Sequence, residues 1–188
     1  ILSAGISSCV LIPTYLSLKN GKATFRIFEE SVKFTLKPID ILEKLILLDE
    51  LNLNNTNIGN ILVLEKLKNL KILELSNTKV KDLSALNKLE DLKILNLSNN
   101  QIEFIGDLKE LERLIWLDLN NNLLESIDAL KGLYSLTWLD LSNNKIESID
   151  ILKDLRKLNY LNLSNNKIKD IKSLNSLVDI FNLNLSNN

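Results

Sequence analysis

The sequence predicts a right-handed solenoid of the α/β class, with a curved parallel β-sheet on its concave side and 3₁₀ or irregular helix on its convex side. Three features predict this fold: a period of 22 residues that begins after Pro38, a Leu-x-Leu pair in every unit, and apolar residues at every third position after that pair. Stacked units of this kind bury a continuous core that no single unit could bury alone.

The period is clearest in the first two complete units, where eight positions match at a spacing of 22 residues. The first unit holds Leu48, Leu51, Leu53, Thr56, Ile58, Ile61, Leu64 and Leu67. The second unit holds Leu70, Leu73, Leu75, Thr78, Val80, Leu83, Leu86 and Leu89. The register continues to Asn188, which predicts one array over residues 38–188, with six full units and a partial unit at each end.

Each unit is expected to form one short strand and one outer segment. Both leucines of the Leu-x-Leu pair point into the core, because side chains alternate along a strand, while the residue between them faces solvent. After the strand, the spacing of Ile146, Ile149 and Leu152 suits a turn or two of 3₁₀ helix on the convex side.

A polar residue stands three positions after each pair, and it is Asn in the later units but Thr at Thr56 and Thr78. An amide can satisfy loop N–H and C=O groups that the sheet leaves unpaired, whereas a hydroxyl offers fewer hydrogen bonds. We therefore expect the first two coils to be looser than the others.

Three segments, Leu95–Ile102, Leu139–Ile146 and Leu161–Ile168, each read Leu-x-Leu-Ser-Asn-Asn-x-Ile. This motif resembles the 22-residue class of leucine-rich repeats, found in bacterial internalin-type surface proteins and in nuclear proteins that regulate protein phosphatases. The resemblance covers residues 39–188 and implies a leucine-rich-repeat solenoid there. Because one cysteine cannot build disulfide-bonded caps, we expect a bacterial surface or secreted protein, with an intracellular protein as the alternative.

Residues 1–37 are predicted to form a β-rich N-terminal cap over the first coil. Two β-type runs, Thr14–Leu18 and Ala23–Phe28, flank Asn20 and Gly21, and an Asn-Gly pair favours a type I′ hairpin turn. An array needs such a terminal unit to keep its open core out of water.

The segment Ile6–Cys9 reads Ile-Ser-Ser-Cys and is similar to the end of a bacterial lipoprotein signal, where cleavage before the cysteine leaves a lipidated N-terminus. Residues 1–9 are then a signal remnant. The alternative is that Cys9 is a partly buried structural cysteine of the cap. No transmembrane segment is predicted, since no run of about 18 apolar residues occurs.

The composition argues against catalysis. The chain has no histidine and one cysteine, so the commonest general base and the commonest metal ligands are missing. Asp118 and Asp140 occupy equivalent positions in adjacent strands, but two carboxylates are too few for a metal site, and a solvated polar column is expected. The 23 basic and 24 acidic residues nearly cancel, so no nucleic-acid partner is expected. The prediction is a protein without enzymatic activity, cofactor or metal.

Two outward columns form the candidate binding site. The column immediately before the Leu-x-Leu pairs reads Glu50, Ile72, Ile94, Trp116, Trp138, Tyr160 and Asn182. The column within the pairs reads Asn52, Glu74, Asn96, Asp118, Asp140, Asn162 and Asn184. Exposed aromatic clusters tend to mark interaction sites. The predicted partner-binding residues are therefore Ile72, Glu74, Ile94, Trp116, Asp118, Trp138, Asp140 and Tyr160.

The expected partner is a protein that presents basic groups or groups that contact aromatic rings. The alternative is structural, because aromatic and β-branched neighbours on adjacent strands stabilise a sheet by about 0.2–1 kcal/mol per pair.

The predicted function is a protein–protein interaction module that binds its partner on the concave face. Two alternatives stay open: a structural repeat that assembles with copies of itself, and the targeting domain of a larger enzyme or bacterial surface protein. The last strand, Ile180–Leu185, arrives without a convex half. We therefore expect the array to continue or be capped after Asn188, and self-association through this coil in a chain that ends there.

Overall fold

The structure is a computed structural model that describes residues 15–19, 22–26, 47–106 and 108–188. Within these ranges, nine strands form one sheet in chain order. They are β1 Tyr15–Lys19, β2 Lys22–Arg26, β3 Glu50–Asn52, β4 Ile72–Glu74, β5 Ile94–Asn96, β6 Trp116–Asp118, β7 Trp138–Asp140, β8 Tyr160–Asn162 and β9 Asn182–Asn184. From β2 onward every neighbouring pair is parallel, and from β3 onward paired residues are 22 apart. The predicted solenoid of parallel strands is confirmed.

The hairpin predicted before the array is present. Strands β1 and β2 pair in antiparallel fashion, and Lys19 opposite Lys22 is the last pair of the ladder. β1 ends and β2 begins one residue nearer the turn than the sequence predicted, because Lys19 and Lys22 still pair with each other. Strand β2 continues as the parallel neighbour of β3, so the hairpin extends the sheet of the array. The boundary of the cap at residue 37 stays a prediction, and Ile6–Cys9 lies outside the described residues.

The leucines of the Leu-x-Leu pairs form the core. From Leu73 of β4 to Leu163, which follows β8, each of them is 0% exposed. Full burial of a leucine side chain contributes roughly 1.5–3 kcal/mol, so these stacked columns supply most of the stabilisation of the array.

The described part of the array has five short 3₁₀ helices on its convex side, as the third-residue spacing predicted. They are η1 Leu62–Lys66, η2 Ser84–Lys88, η3 Asp128–Leu130, η4 Asp150–Asp154 and η5 Lys172–Ser176. In each case the side chain two residues before the helix accepts a hydrogen bond from the N–H of the first helical residue. These acceptors are Asn60, Asp82, Ser126, Ser148 and Asp170.

The coil between β5 and β6 differs from the others. Its described residues contain no 3₁₀ helix, and the position of the capping side chain holds Phe104, which is 80% exposed. Phenylalanine cannot accept the hydrogen bond that starts the helix elsewhere, and Gly106 follows with a φ of 73°. Loss of the acceptor explains why this coil is irregular.

An asparagine ladder ties successive coils together. The amide of Asn144 donates to the carbonyl oxygens of Leu141 in its own coil and Leu119 in the preceding coil, both at 3.0 Å, and its Oδ1 accepts from the N–H of Leu124. The amides of Asn100, Asn122, Asn166 and Asn188 donate to the equivalent carbonyl oxygens in their coils. Oδ1 accepts from the equivalent N–H in all of them but Asn100, where it accepts from the N–H of Thr78.

The two threonines that replace this asparagine make fewer bonds. Thr56 donates only to the carbonyl oxygen of Leu53 in its own coil, at 2.7 Å. Thr78 donates to Leu75 and meets the next coil only through Asn100. The smaller bonding capacity is confirmed, while the looseness of these two coils stays a prediction.

The last described coil is more open than the others. Leu183 of β9 is 41% exposed, and Phe181 and Val178 are 83% and 81% exposed. The same leucine position is fully buried in β8, at Leu161. Self-association through this coil stays a prediction.

Candidate functional site

Three aromatic rings on adjacent strands form the centre of the outward face. Trp116 of β6, Trp138 of β7 and Tyr160 of β8 are paired in register along the sheet. The ring centroids of the two tryptophans are 4.3 Å apart with planes 13° from parallel, and those of Trp138 and Tyr160 are 4.7 Å apart with planes 7° from parallel. We call these three residues the aromatic strip. All three side chains are half-buried.

The rings are stacked face to face, which decides what they can offer to a partner. Both faces of Trp138 are covered by its neighbours, so its exposed surface is the edge of the ring. The outer face of Trp116 is on the side of Ile94, and the outer face of Tyr160 is on the side of the exposed Asn182. A partner cation therefore cannot stack on the faces of the middle ring.

Each tryptophan also presents a polar group. Neither indole N–H donates a hydrogen bond within the described part of the chain, and neither is fully enclosed. An exposed indole N–H is a donor without an acceptor, so it can bind a carbonyl or carboxylate oxygen of another molecule. The strip thus combines apolar ring edges with two available donors.

Two isoleucines lengthen the apolar surface toward the N-terminus. Ile94 lies beside Trp116 on β5, and Ile72 lies beside Ile94 on β4. Both are half-buried. The equivalent positions at the ends of the column are Glu50 and the exposed Asn182. The structure thus brings all five predicted apolar site residues into one continuous row.

The acidic residues lie in the neighbouring column, but the expectation of a solvated column is wrong for two of them. Asp118 is 9% exposed and Asp140 is 8% exposed. Oδ1 of Asp118 accepts from the backbone N–H of Asn120 at 2.9 Å, and Oδ1 of Asp140 accepts from that of Ser142 at 2.8 Å. The carboxylates fold back to close the turn after the strand, so they are buried although they lie on the outward face.

Asparagine performs the same task elsewhere in this column. Oδ1 of Asn96 accepts from the N–H of Ser98 at 3.0 Å, and Asn162 does the same with Ser164 at 3.2 Å. Sequence reasoning missed this turn-closing role. The signal was present, since Asp and Asn alone occupy six of the seven positions of the column.

Burial perturbs the acid–base behaviour of the site. Removal from water raises the pKa of Asp118 to about 6, opposed by the hydrogen bonds from Asn120 and assisted by the negative charges of Asp140 and Glu74. Burial also raises the pKa of Tyr160, and the nearby carboxylates Asp140 and Asp118 add to the effect. Negative charge is therefore concentrated at this site, and within the described residues no cationic group offsets it at Asp118.

Among the described residues, no three acidic or cysteine side chains come together in a way that could hold a metal ion. Among the same residues, no helix has the length and hydropathy needed to span a bilayer.

The fold and site define a class of protein. A solenoid that carries an apolar strip on its row of strands is a repeat scaffold of the kind that serves protein interaction. A family model described as "Leucine Rich repeats (2 copies)" matches residues 68–110 and 134–176, and a second, "Leucine rich repeat", matches residues 106–146.

Solved structures place the chain more narrowly. Internalin C2 from Listeria monocytogenes superposes with a TM-score of 0.75 at 32% identity, covering 77% of this chain and 64% of that protein. An internalin (inlF) from the same organism superposes with a TM-score of 0.60 at 32% identity, covering 77% of this chain and 49% of that protein. Among curated proteins no sequence matched. The chain belongs to the leucine-rich-repeat proteins of internalin-like type and is a protein-interaction repeat module. It spans less than two thirds of the length of either internalin.

Proposed function

We propose that this chain binds a partner protein on the strand face of its solenoid and has no catalytic activity of its own. The observation that carries the proposal is the aromatic strip. The leucine core does not require aromatic side chains at outward positions, since Glu50 and Asn182 occupy the same column. The ring edges that stay exposed can be buried against a partner, and tryptophan and tyrosine are frequent binding hot spots.

The surroundings of the strip indicate the character of the partner. Ile72 and Ile94 extend the apolar row, and Glu74, Asp118 and Asp140 lie along one side of it. An apolar row with carboxylates beside it complements a protein surface that combines aliphatic or aromatic groups with lysine or arginine.

A structural role for the strip is the second candidate function. Stacked rings at 4.3 and 4.7 Å stabilise each other by about 0.5–1.5 kcal/mol per pair beyond the area they bury. If the aromatic strip is structural, loss of the rings lowers the stability of the protein but leaves its interactions with other proteins intact.

Affinity capture from the native source separates the two candidates. Wild-type bait is compared with the double variant Trp116→Ala/Trp138→Ala, and Phe104→Ala serves as the matched control because Phe104 is an exposed aromatic residue on another side of the coil. We expect the double variant to lose the partner that the wild type and the control retain. A folded double variant that captures the same partners at wild-type affinity would contradict the proposal.

A further inference from the structure

The acidic residues of the strand face differ in how well their oxygens are satisfied. Oε2 of Glu74 accepts from the amides of Asn54 at 3.1 Å and Asn96 at 2.8 Å. Oδ2 of Asp140 accepts from the amide of Asn162 at 3.0 Å. In Asp140 this donor reaches the oxygen that is not used in closing the turn. Glu74 does not close its turn, because the N–H of Ser76 donates to Asn54, and the half-buried Glu74 receives both of its donors on Oε2.

Among the buried carboxylates of this column, Asp118 differs from Asp140. Its Oδ1 takes two hydrogen bonds from Asn120, whereas its Oδ2 accepts none within the described residues. The reason is its position in the column, because the amide of the preceding Asn96 is directed to Glu74, and the following residue is another carboxylate, Asp140. Oδ2 is also not fully enclosed, so a donor from outside can reach it.

This arrangement leaves a buried negative charge without a partner. Asp118 is nine-tenths buried, and the charged groups that act on it are Glu74 from β4 and Asp140 from β7, both acidic. The phenol of Tyr160 on β8 is subject to the same negative potential, and β5 contributes only the neutral Asn96. No ammonium or guanidinium group acts on Asp118 from the described part of the chain. A carboxylate in such surroundings is stabilised by a cation that brings its own hydrogen-bond donors.

We propose that Asp118 is the residue of the strand face that receives an arginine side chain of the partner protein. The inference rests on the proposed function and names the chemistry of the contact. Arginine fits better than lysine, because its planar fork of five donors can bond the free Oδ2 of Asp118 while extending toward Asp140 on the adjacent strand. The stem of the side chain then lies along the ring edges of Trp116 and Trp138, since their stacked faces are closed.

The two tryptophans make the site directly observable. They are the only tryptophans of the chain and lie on the two strands that carry Asp118 and Asp140, so their fluorescence reports on this part of the surface alone. The probe is a tetra-arginine peptide with blocked ends, titrated into the full chain at pH 7.5 and constant ionic strength. A tetra-citrulline peptide is the matched probe, because it keeps the shape of the side chain and removes its charge.

The decisive variant is Asp118→Asn. Asparagine already closes the same turn at Asn96 and Asn162, so the variant keeps the fold and removes the charge. Asp154→Asn, on the convex helix η4, is the control for loss of one negative charge from the protein.

We expect the arginine peptide to alter the emission and the citrulline peptide to leave it unchanged. Asp118→Asn should weaken arginine binding about tenfold or more, as expected for a lost charge-assisted hydrogen bond, and Asp154→Asn should not affect it. Binding to the wild type should also weaken as the pH is lowered from 7 to 5, because protonation of Asp118 removes the charge, and this pH dependence should be absent in Asp118→Asn.

Three results would overturn the inference: no binding of the arginine peptide, equal loss in Glu74→Gln and Asp118→Asn, or equal binding of the citrulline peptide. Failure of the proposed function is a separate result. If the partner captured from the native source is lost by the aromatic double variant but retained by Asp118→Asn, the strip is the binding surface and only the role of Asp118 is wrong.

Discussion

The inward and outward columns of the same short strands differ in how far their residue types vary. Leu139 is 0% exposed, and its position is leucine in every strand from β3 to β9. Its neighbours Trp138 and Asp140 point the other way, and their columns vary among acidic, amide, aliphatic and aromatic residues. Core packing restricts the inward position to leucine, whereas the residues at the outward positions can vary and carry function. The outward columns are nevertheless not independent of stability, since their rings stack and their carboxylates close turns.

The largest expected effect is on the inward column. Leu139→Ala should lower the free energy of unfolding by roughly 2–5 kcal/mol, because it leaves a cavity between three coils that hold one another in place. Leu183→Ala is the matched control at the same repeat position, where the side chain is 41% exposed, and it should cost clearly less. Chemical denaturation measures both, and equal losses would contradict the assignment of inward positions.

The next effect is a gain in stability from an outward position. Burial raises the pKa of Asp118 from 3.8 to about 6, so the folded state binds this proton more tightly than the unfolded state. Stability is therefore highest when the group is protonated, and it falls as the pH rises from 3.8 to about 6. Asp118→Asn should raise the free energy of unfolding by about 1–3 kcal/mol at pH 7, with little change at pH 3.5. Thermal melts of both proteins across this range test it, and a variant less stable than the wild type at pH 7 would count against the assignment.

Within the aromatic strip, the middle ring should matter more than an end ring. Trp138 stacks on two neighbours and Trp116 on one, so Trp138→Ala should cost about 1–3 kcal/mol and Trp116→Ala about half of that. Urea titrations of the two variants decide the matter, and similar small losses would mean that stacking contributes little.

The smallest effect concerns the turn after the strand. Asp140→Ala removes the acceptor used by the N–H of Ser142 at 2.8 Å and the amide of Asn162 at 3.0 Å, so it should cost about 1–2 kcal/mol. Asp140→Asn should recover most of this loss, because Asn96 and Asn162 close the same turn. If Asp140→Ala and Asp140→Asn have the same free energy of unfolding in denaturant melts, the turn-closing hydrogen bond makes no measurable contribution to stability.

The sequence by itself determined the repeat, the inward leucines and the outward columns. It could do so because a solenoid contacts mainly its own neighbours, so a 22-residue period read along the chain is also the spacing between paired residues in the sheet. The row formed by Ile94, Trp116, Trp138 and Tyr160 follows from that period alone.

Only the tertiary structure decided how those side chains are used. Ring planes depend on rotamers, so stacking that closes both faces of Trp138 cannot be read from spacing. Whether Oδ2 of Asp118 receives a donor depends on where the amides of its neighbours point, and Asn96 bonds to Glu74 rather than to Asp118. Periodicity assigns a residue to a face of the sheet, but the free donors and acceptors on that face are decided by competition among adjacent side chains in three dimensions.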